Sequence, residues 1–249
     1  MQKGQEGEKG AREGARPYAS IVMPTYMEEK YLGPTLESIF SQKVDFTFEV
    51  IVSDASSTDK TGEITRKYGA RLVLGPKTNI ADGRRIGAQA SKGEILIFAT
   101  GDNIYTPGWL ANLVAPFKDA GVAAVVGKIM LQDSSAAEKA FANLVLWPGA
   151  KLFSKIGSYY AHGEALAIRR SVYDDVGGIN IALVTSDDTE LVMRASRKGR
   201  IFYADKSLVL TSRRRLDKWG RLYFLYFHVI NYFQLNFLGR AFGEYEPIR

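Results

Sequence analysis

From Tyr18 onward the chain alternates between short unbroken apolar runs and longer stretches in which apolar residues recur at helical spacing. The runs are Ala19 to Met23, Phe48 to Val52, Arg71 to Leu74, Ile95 to Ala99 and Val122 to Val126. A strand with one wet face alternates polar and apolar residues, whereas a continuous apolar run fits a strand covered on both faces. The intervening patterns predict helices over Tyr31 to Gln42, Asp59 to Tyr68, Ala81 to Ser91 and Pro107 to Ala120, with a further one over Asp187 to Lys198. Strand, helix, strand repeated four times predicts an α/β fold with a Rossmann-like, mostly parallel central sheet flanked by helices. Gln132 to Tyr160 mixes the two periods and carries no assignment.

Ligands of an open parallel sheet sit beyond the carboxyl ends of its strands. Those ends are Pro24-Thr25-Tyr26, Ser53-Asp54-Ala55-Ser56-Ser57, Gly75-Pro76 and Thr100-Gly101-Asp102-Asn103. Three of the four are polar, small or acidic, as a binding site requires.

The two termini break the pattern. Residues 1–16 are charged and interrupted by glycine, with no apolar run, which reads as a disordered tail without a secretory leader and favours a cytoplasmic location. Leu222 to Leu238 holds seven aromatic residues but also His228, Asn231, Gln234 and Asn236. With those polar residues it falls short of the roughly 20 apolar residues of a spanning helix, so the prediction is an amphipathic aromatic helix lying in a membrane surface. Arg213 to Arg221 would then meet the headgroups of a peripheral site at the inner face of the cell membrane; the alternative packs the rings on the core or on a second subunit. The expected organisation is a tail over 1–16, a catalytic domain over 17–212 and a basic, aromatic helical extension over 213–249.

Composition narrows the chemistry. With 46% hydrophobic residues in 249, wholesale disorder is excluded, and with no cysteine there is no thiolate nucleophile and no cysteine-based metal site. Arg194 to Arg221 carries ten Lys/Arg against Asp205 and Asp217, a local balance of +8 against +6 for the whole chain, so the remainder is slightly acidic. Nucleic acid is therefore not the expected partner; anionic lipid or a phosphorylated ligand is. No phosphate-binding Gly-x-x-x-x-Gly-Lys and no Gly-x-Gly-x-x-Gly follows the first strand, which removes the main support for nucleotide hydrolysis and dinucleotide redox chemistry.

Several side chains at the strand ends carry candidate chemistry. Asp54 can accept hydrogen bonds from a nucleobase or ribose, or can simply close a local turn, while Ser57, Thr58 or Asp59 would cap the next helix. Asp102 offers a hard carboxylate for Mg²⁺ or Mn²⁺ if a diphosphate and water complete the shell; Asp-Asn is equally a common turn pair. Of Arg84 and Arg85, one can face the crevice, because neighbouring helix positions diverge by about 100°. Thr185-x-x-Asp188 fits a capping box, and on local grounds the cap outweighs the alternative of a general base. His162, beside Gly163 and Glu164, either lines the acceptor side or is structural, and its distance from His228 gives no zinc-site spacing.

Together these segments resemble the inverting family 2 glycosyltransferases of GT-A fold. Ser20 to Tyr26 is similar to that family's first strand and turn, and Val50 to Thr61 to its base-binding segment. Glu94 to Pro107 is close to the corresponding motif of the bacterial spore-coat polysaccharide glycosyltransferase; Gly163 to Gly178 and Asp187-Asp188-x-Glu190-Leu191-x-x-Arg194 are similar to its acceptor strand and catalytic helix. The resemblance implies transfer of one sugar from a nucleotide-diphosphate donor (UDP preferred, GDP possible) to a hydroxyl or lipid-linked acceptor, assisted by Mg or Mn. It implies Asp188 as base, Asp102 at the metal, and Pro24, Thr25, Tyr26, Glu28, Asp54, Arg84 and Gly101 around the nucleotide. His162, Gly163, Glu164 and Asp187 fall on the acceptor side. The family's usual first acid has no counterpart in Thr100-Gly101, and no Gln-x-x-Arg-Trp of processive members occurs, only Arg213 to Trp219. Two rivals stand against this expectation. A nucleotidyltransferase would show a Gly-rich basic loop where Pro24 to Glu29 stands; a non-catalytic binding protein on a degenerate transferase fold draws on the missing acid.

Overall fold

The computed structural model describes residues 16–243. The tail predicted over 1–16 thus lies outside the described residues except for Arg16, as does the end of the C-terminal extension. One eight-stranded sheet organises the rest, built from β1 (Ala19–Thr25), β2 (Phe48–Asp54), β3 (Arg71–Leu74), β4 (Ile95–Phe98), β5 (Ile104–Tyr105), β6 (Val122–Leu131), β7 (Leu166–Arg169) and β8 (Arg200–Thr211). Their spatial order is β3-β2-β1-β4-β7-β6-β8-β5. All five predicted strands are present.

Parallel pairing holds from β3 through β4 and again between β6 and β8, while β7 runs antiparallel to both neighbours and β5 antiparallel to β8. The sheet is therefore mixed. The fourth crossover does not place β6 beside β4, because β7 is inserted between them.

The helices are α1 (Leu32–Phe40), α2 (Thr61–Lys67), α3 (Ile80–Ala90), α4 (Trp109–Val114), α5 (Ala136–Phe141), α6 (Trp147–Ser154), α7 (Arg170–Asp175), α8 (Asp187–Ala195), α9 (Arg214–Trp219) and α10 (Arg221–Leu238). A π-helical turn, Ala142–Leu146, joins α5 to α6. These two helices occupy the stretch that the sequence pattern leaves unassigned.

Two apolar layers sandwich the sheet, which explains the continuous runs. Ile21, Met23, Ile95 and Ile97 face Leu36, Ile39 and Leu110 on one side; Val22, Leu96, Phe98 and Ile168 face Leu191, Val192 and Ala195 on the other. Trp109 and Tyr105 fill the first layer, with ring centroids 4.3 Å apart. Helix α3 sits unusually close to β1: a Cβ on Gly87 would stand 2.4 Å from Val22. Only glycine permits that approach. It carries the preceding turn of the helix, with Arg84, to the carboxyl edge of the sheet.

Candidate active site

The crevice is built at the carboxyl ends of β1, β2 and β4 and is closed by α8 and α9. Three of the four non-glycine residues with positive φ among the described residues, Met27, Ser56 and Ser186, lie in its rim loops. Strained backbone of this kind persists where surrounding contacts over-determine it, commonly at sites.

Asp54 ends β2 and is buried. Its Oδ1 accepts from Thr25 Oγ1 (2.9 Å) and Ser57 Oγ (2.6 Å), and its Oδ2 accepts from the Ser57 amide (2.8 Å). The local turn is thus formed, and it holds the carboxylate at a fixed angle. Pro24 and Thr25 finish β1; next to them Lys77 Nζ lies 4.2 Å from the Tyr26 ring centroid and donates to its hydroxyl. Asp59 Oδ1 accepts from the Thr61 amide at the start of α2, so of the three candidate caps it is the one that engages that turn.

Arg84 points inward and Arg85 outward, as the divergence of adjacent helix positions requires. Arg84 Nη1 donates to Asp187 Oδ2 at 2.6 Å, with both side chains about 95% buried, at 6% and 5% exposure. Burial alone would lower the Arg84 pKa, but Asp187 and Asp188 outweigh it and hold the guanidinium charged. Its Nε finds no hydrogen-bond partner among the described residues. A Cβ on Gly163 would fall 1.7 Å from Arg84 Nη2, so the guanidinium occupies the space that a side chain at 163 would need. Arg85 instead pairs with Asp82 and Gln89 on the outer face of α3.

At the start of α8 the predicted capping box does not form. Ser186, at φ 58°, occupies the cap position without a side-chain bond to the helix, and the Thr185 hydroxyl turns to Asn231 and the Phe242 carbonyl. Asp188 is released from capping: Oδ2 accepts from the Gly163 amide (2.7 Å) and Oδ1 from its neighbour Thr189 (2.6 Å). Burial, and then the adjacent Asp187 charge, push the Asp188 pKa up to about 6. Burial followed by Asp188 pushes Glu164 up to about 7. His162 packs edge-on to Tyr160, with centroids 4.5 Å apart, and burial drives its pKa down to about 3, so it is a neutral imidazole.

Asp102 meets a partner that the sequence pattern did not single out. Arg214, which opens α9, donates from Nη2 to Asp102 Oδ2 (2.7 Å) and to Glu28 Oε1 (3.1 Å), and from Nη1 to Glu28 Oε2 (3.2 Å). Its guanidinium also lies 4.6 Å from the Tyr31 ring centroid. Ser212 donates its amide to Asn103 Oδ1, and Gly101 offers its carbonyl to Thr35. Arg213 and Arg214 are thereby drawn into the protein, Arg213 pairing with Glu138, rather than lying with the remaining basic residues at an outer surface. The other oxygen of Asp102 has no partner among the described residues, where no cluster of three or more metal-ligating side chains exists. One hard carboxylate oxygen at a strand end fits a divalent ion that a ligand brings with it, not a pre-formed metal site.

Residues 20–177 match the family model described as glycosyl transferase family 2. The chain belongs to that family. Among its relatives, the glycosyltransferase AglE of Haloferax volcanii is 28% identical over 195 residues, covering 74% of this chain and 62% of AglE. This chain therefore spans less than two thirds of that relative. The mannosyltransferase PcManGT of Pyrobaculum calidifontis, solved with GDP-Man and Mn²⁺, superposes with a TM-score of 0.66 at 20% identity over 92% of this chain and 66% of its own. Glucosyl-3-phosphoglycerate synthase of Mycobacterium tuberculosis, solved with Mn²⁺ and UDP-glucose, superposes at 0.62 and 21% identity over 88% and 79%. The fold is GT-A.

Proposed function

We propose that the chain is an inverting glycosyltransferase that moves one sugar from a nucleotide-diphosphate donor to an acceptor hydroxyl. The observation that carries this reading is that two carboxylates with separate partners, Asp102 and Asp188, both lie near enough to Glu164 to act on its charge. Asp102 stands at the donor end beside Arg214, and Asp188, released from helix capping, stands at the acceptor end beside Arg84.

Asp54, fixed by Ser57 and Thr25, accepts from the nucleobase, with Pro24, Tyr26, Glu28 and Gly101 forming the surrounding wall. An ionised Asp188 takes the acceptor proton as the oxygen attacks the anomeric carbon. The bond from that carbon to the diphosphate breaks on the opposite face, inverting the centre, and the electron pair leaves with the nucleoside diphosphate. Arg214, beside Asp102, is the cation placed to offset that charge, while Arg84, which the resemblance put at the diphosphate, is held by Asp187 at the acceptor end. Asp102 would hold a Mg²⁺ or Mn²⁺ ion through the oxygen that Arg214 leaves open, and the ion would supply further neutralisation of the diphosphate. The solved relatives support a nucleotide-sugar donor through GDP-Man and UDP-glucose, and a divalent ion through Mn²⁺. UDP is the favoured nucleotide. Glu164, His162 and Gly163 line the acceptor side, and an anionic membrane surface is the proposed partner of the C-terminal extension.

The test is Asp188→Asn, which keeps the shape and removes the basicity. Loss of about a hundredfold or more in transfer to a hydroxyl acceptor, with nucleotide binding intact, supports the base. Unchanged rates on every acceptor refute it.

A further inference from the structure

Helix α10 keeps a narrow, mixed stripe inward and turns a broad apolar stripe outward. Phe227, Asn231 and Leu235 form the buried stripe, four residues apart, while Leu222, Leu225, Tyr226, Val229, Phe233 and Phe237 form an exposed stripe on the opposite side. Leu222 is 87% exposed and Phe237 68%. Asn231 donates to Ser186 Oγ (2.6 Å) and Thr185 Oγ1 (3.2 Å), and Asn236 accepts from the Tyr159 amide (3.1 Å).

A second element repeats the arrangement. Along α5, the π-turn, α6 and the turn after it, the residues Phe141, Leu144, Val145, Leu152 and Ile156 recur mainly at intervals of three, four and seven, and all are exposed, Leu144 at 76% and Ile156 at 77%. No residue of α5 or α6 is fully buried. The two elements are tied at both ends. Arg221 Nη2 lies 3.4 Å from Glu138 Oε1 at one, and the Tyr232 and Ser158 hydroxyls lie 2.5 Å apart at the other.

Single exposed apolar residues need no explanation, but two helices each carrying a continuous exposed stripe do. The flanks favour one occupant. Lys128, Lys151 and Lys155, with Asp205 paired to Lys151, line an open hollow of about 580 Å³ beside α6, and Lys218, Arg221 and Arg240 mark the two ends of α10, Arg221 beside Glu138. Apolar and aromatic side chains bordered by cations match an anionic bilayer, whereas a second copy of the chain would bring like charges together.

We infer that α5–α6 and α10 form one docking face that lies in an anionic lipid surface. Asn231, on the inward side of α10, bonds to Thr185 and Ser186 immediately before Asp187 and Asp188, so docking of the outer stripe sets the acceptor end of the crevice one helix away from the lipid. The acceptor class that follows is a sugar or alcohol carried on a lipid; that last step rests on the transferase reading, whereas the docking does not.

The test is flotation of the full chain with phosphatidylcholine vesicles, either pure or containing about one third phosphatidylglycerol. Wild type is expected to float with the anionic vesicles, and both L144E/L152E/I156E and L222E/F233E/F237E to lose at least about tenfold in partitioning. Each variant is checked for an unchanged melting temperature and unchanged UDP binding. If those are kept, lost flotation is a surface effect. Wild type that stays unbound, or an α6 variant that floats as wild type does, overturns the two-helix face. A concentration-dependent dimer abolished by both variants overturns it in favour of a second copy. Flotation together with absent nucleotide binding would leave the docking standing and remove the transferase reading.

Discussion

Asp187→Asn isolates the ion pair that holds the acceptor half of the site together. The substitution is nearly isosteric and removes the carboxylate that pairs directly with a guanidinium that is 6% exposed and has an unpartnered Nε among the described residues. Breaking a buried pair from one side costs about 3–5 kcal/mol, because the remaining charge is left uncompensated. Here Asp188 and Glu164 still act on Arg84, which places the cost at the lower end. At about 3 kcal/mol a domain of this size melts roughly 6–12 °C lower. The same change acts on Asp188: the Asp187 charge is one of the causes raising its pKa, so the rise of transfer rate with pH moves to lower pH. Differential scanning calorimetry and a pH–rate profile read the two effects separately. Replacing both partners, as R84M/D187L, is expected to be less destabilising than either single change, since neither charge is stranded. A melting temperature within about 2 °C of wild type for D187N would refute the ion pair as the element that holds α3 to α8.

Other outcomes follow from the same geometry. Glu164 has a folded-state pKa above its unfolded value, so the folded state binds its proton more tightly; the stability tied to that proton is present at low pH and lost as pH rises through about 7. Glu164→Gln should therefore melt higher than wild type at pH 8 and show a flatter dependence of melting temperature between pH 5 and 8. Gly163→Ala places a Cβ on Arg84 Nη2 and should cost about 1–3 kcal/mol by chemical denaturation, with a larger proportional loss of transfer. Arg214→Met frees one oxygen of Asp102 and removes a cation from beside the buried Glu28. It should lower stability by about 2 kcal/mol while tightening Mn²⁺ binding measured by calorimetry in the absence of nucleotide.

The parallel half of the fold was legible because β1, β2 and β4 are buried on both faces and carry unbroken apolar runs between periodic helices. β8 was not, since Asp205-Lys206-Ser207 interrupt it and lie between Ala204 and Leu208, which pair with the adjacent Gly127 and Lys128 of β6. Helices α5 and α6 were obscured for a different reason: their apolar side chains face away from the core, so periodicity there marks a surface and not a packed face. At the site, the choice of Arg84 over Arg85 follows from helix geometry. The capping box at Thr185 fails because a tertiary partner, Asn231, takes the Thr185 hydroxyl. Arg214 was hidden inside a basic run read as one outer surface. Its place immediately after the carboxyl end of β8 is the signal that would have found it, had that strand been recognised.

The central claim is that Asp54 and Asp102 bound a nucleoside diphosphate site. Calorimetric titration of the full chain with UDP, GDP, CDP and dTDP, with and without Mn²⁺, beside Asp54→Ala and Asp102→Ala, tests it most directly. The account predicts binding of UDP in preference to the others, strengthened by Mn²⁺, lost in D54A and no longer metal-dependent in D102A. No binding of any diphosphate under either condition, by protein that melts cooperatively, would contradict it.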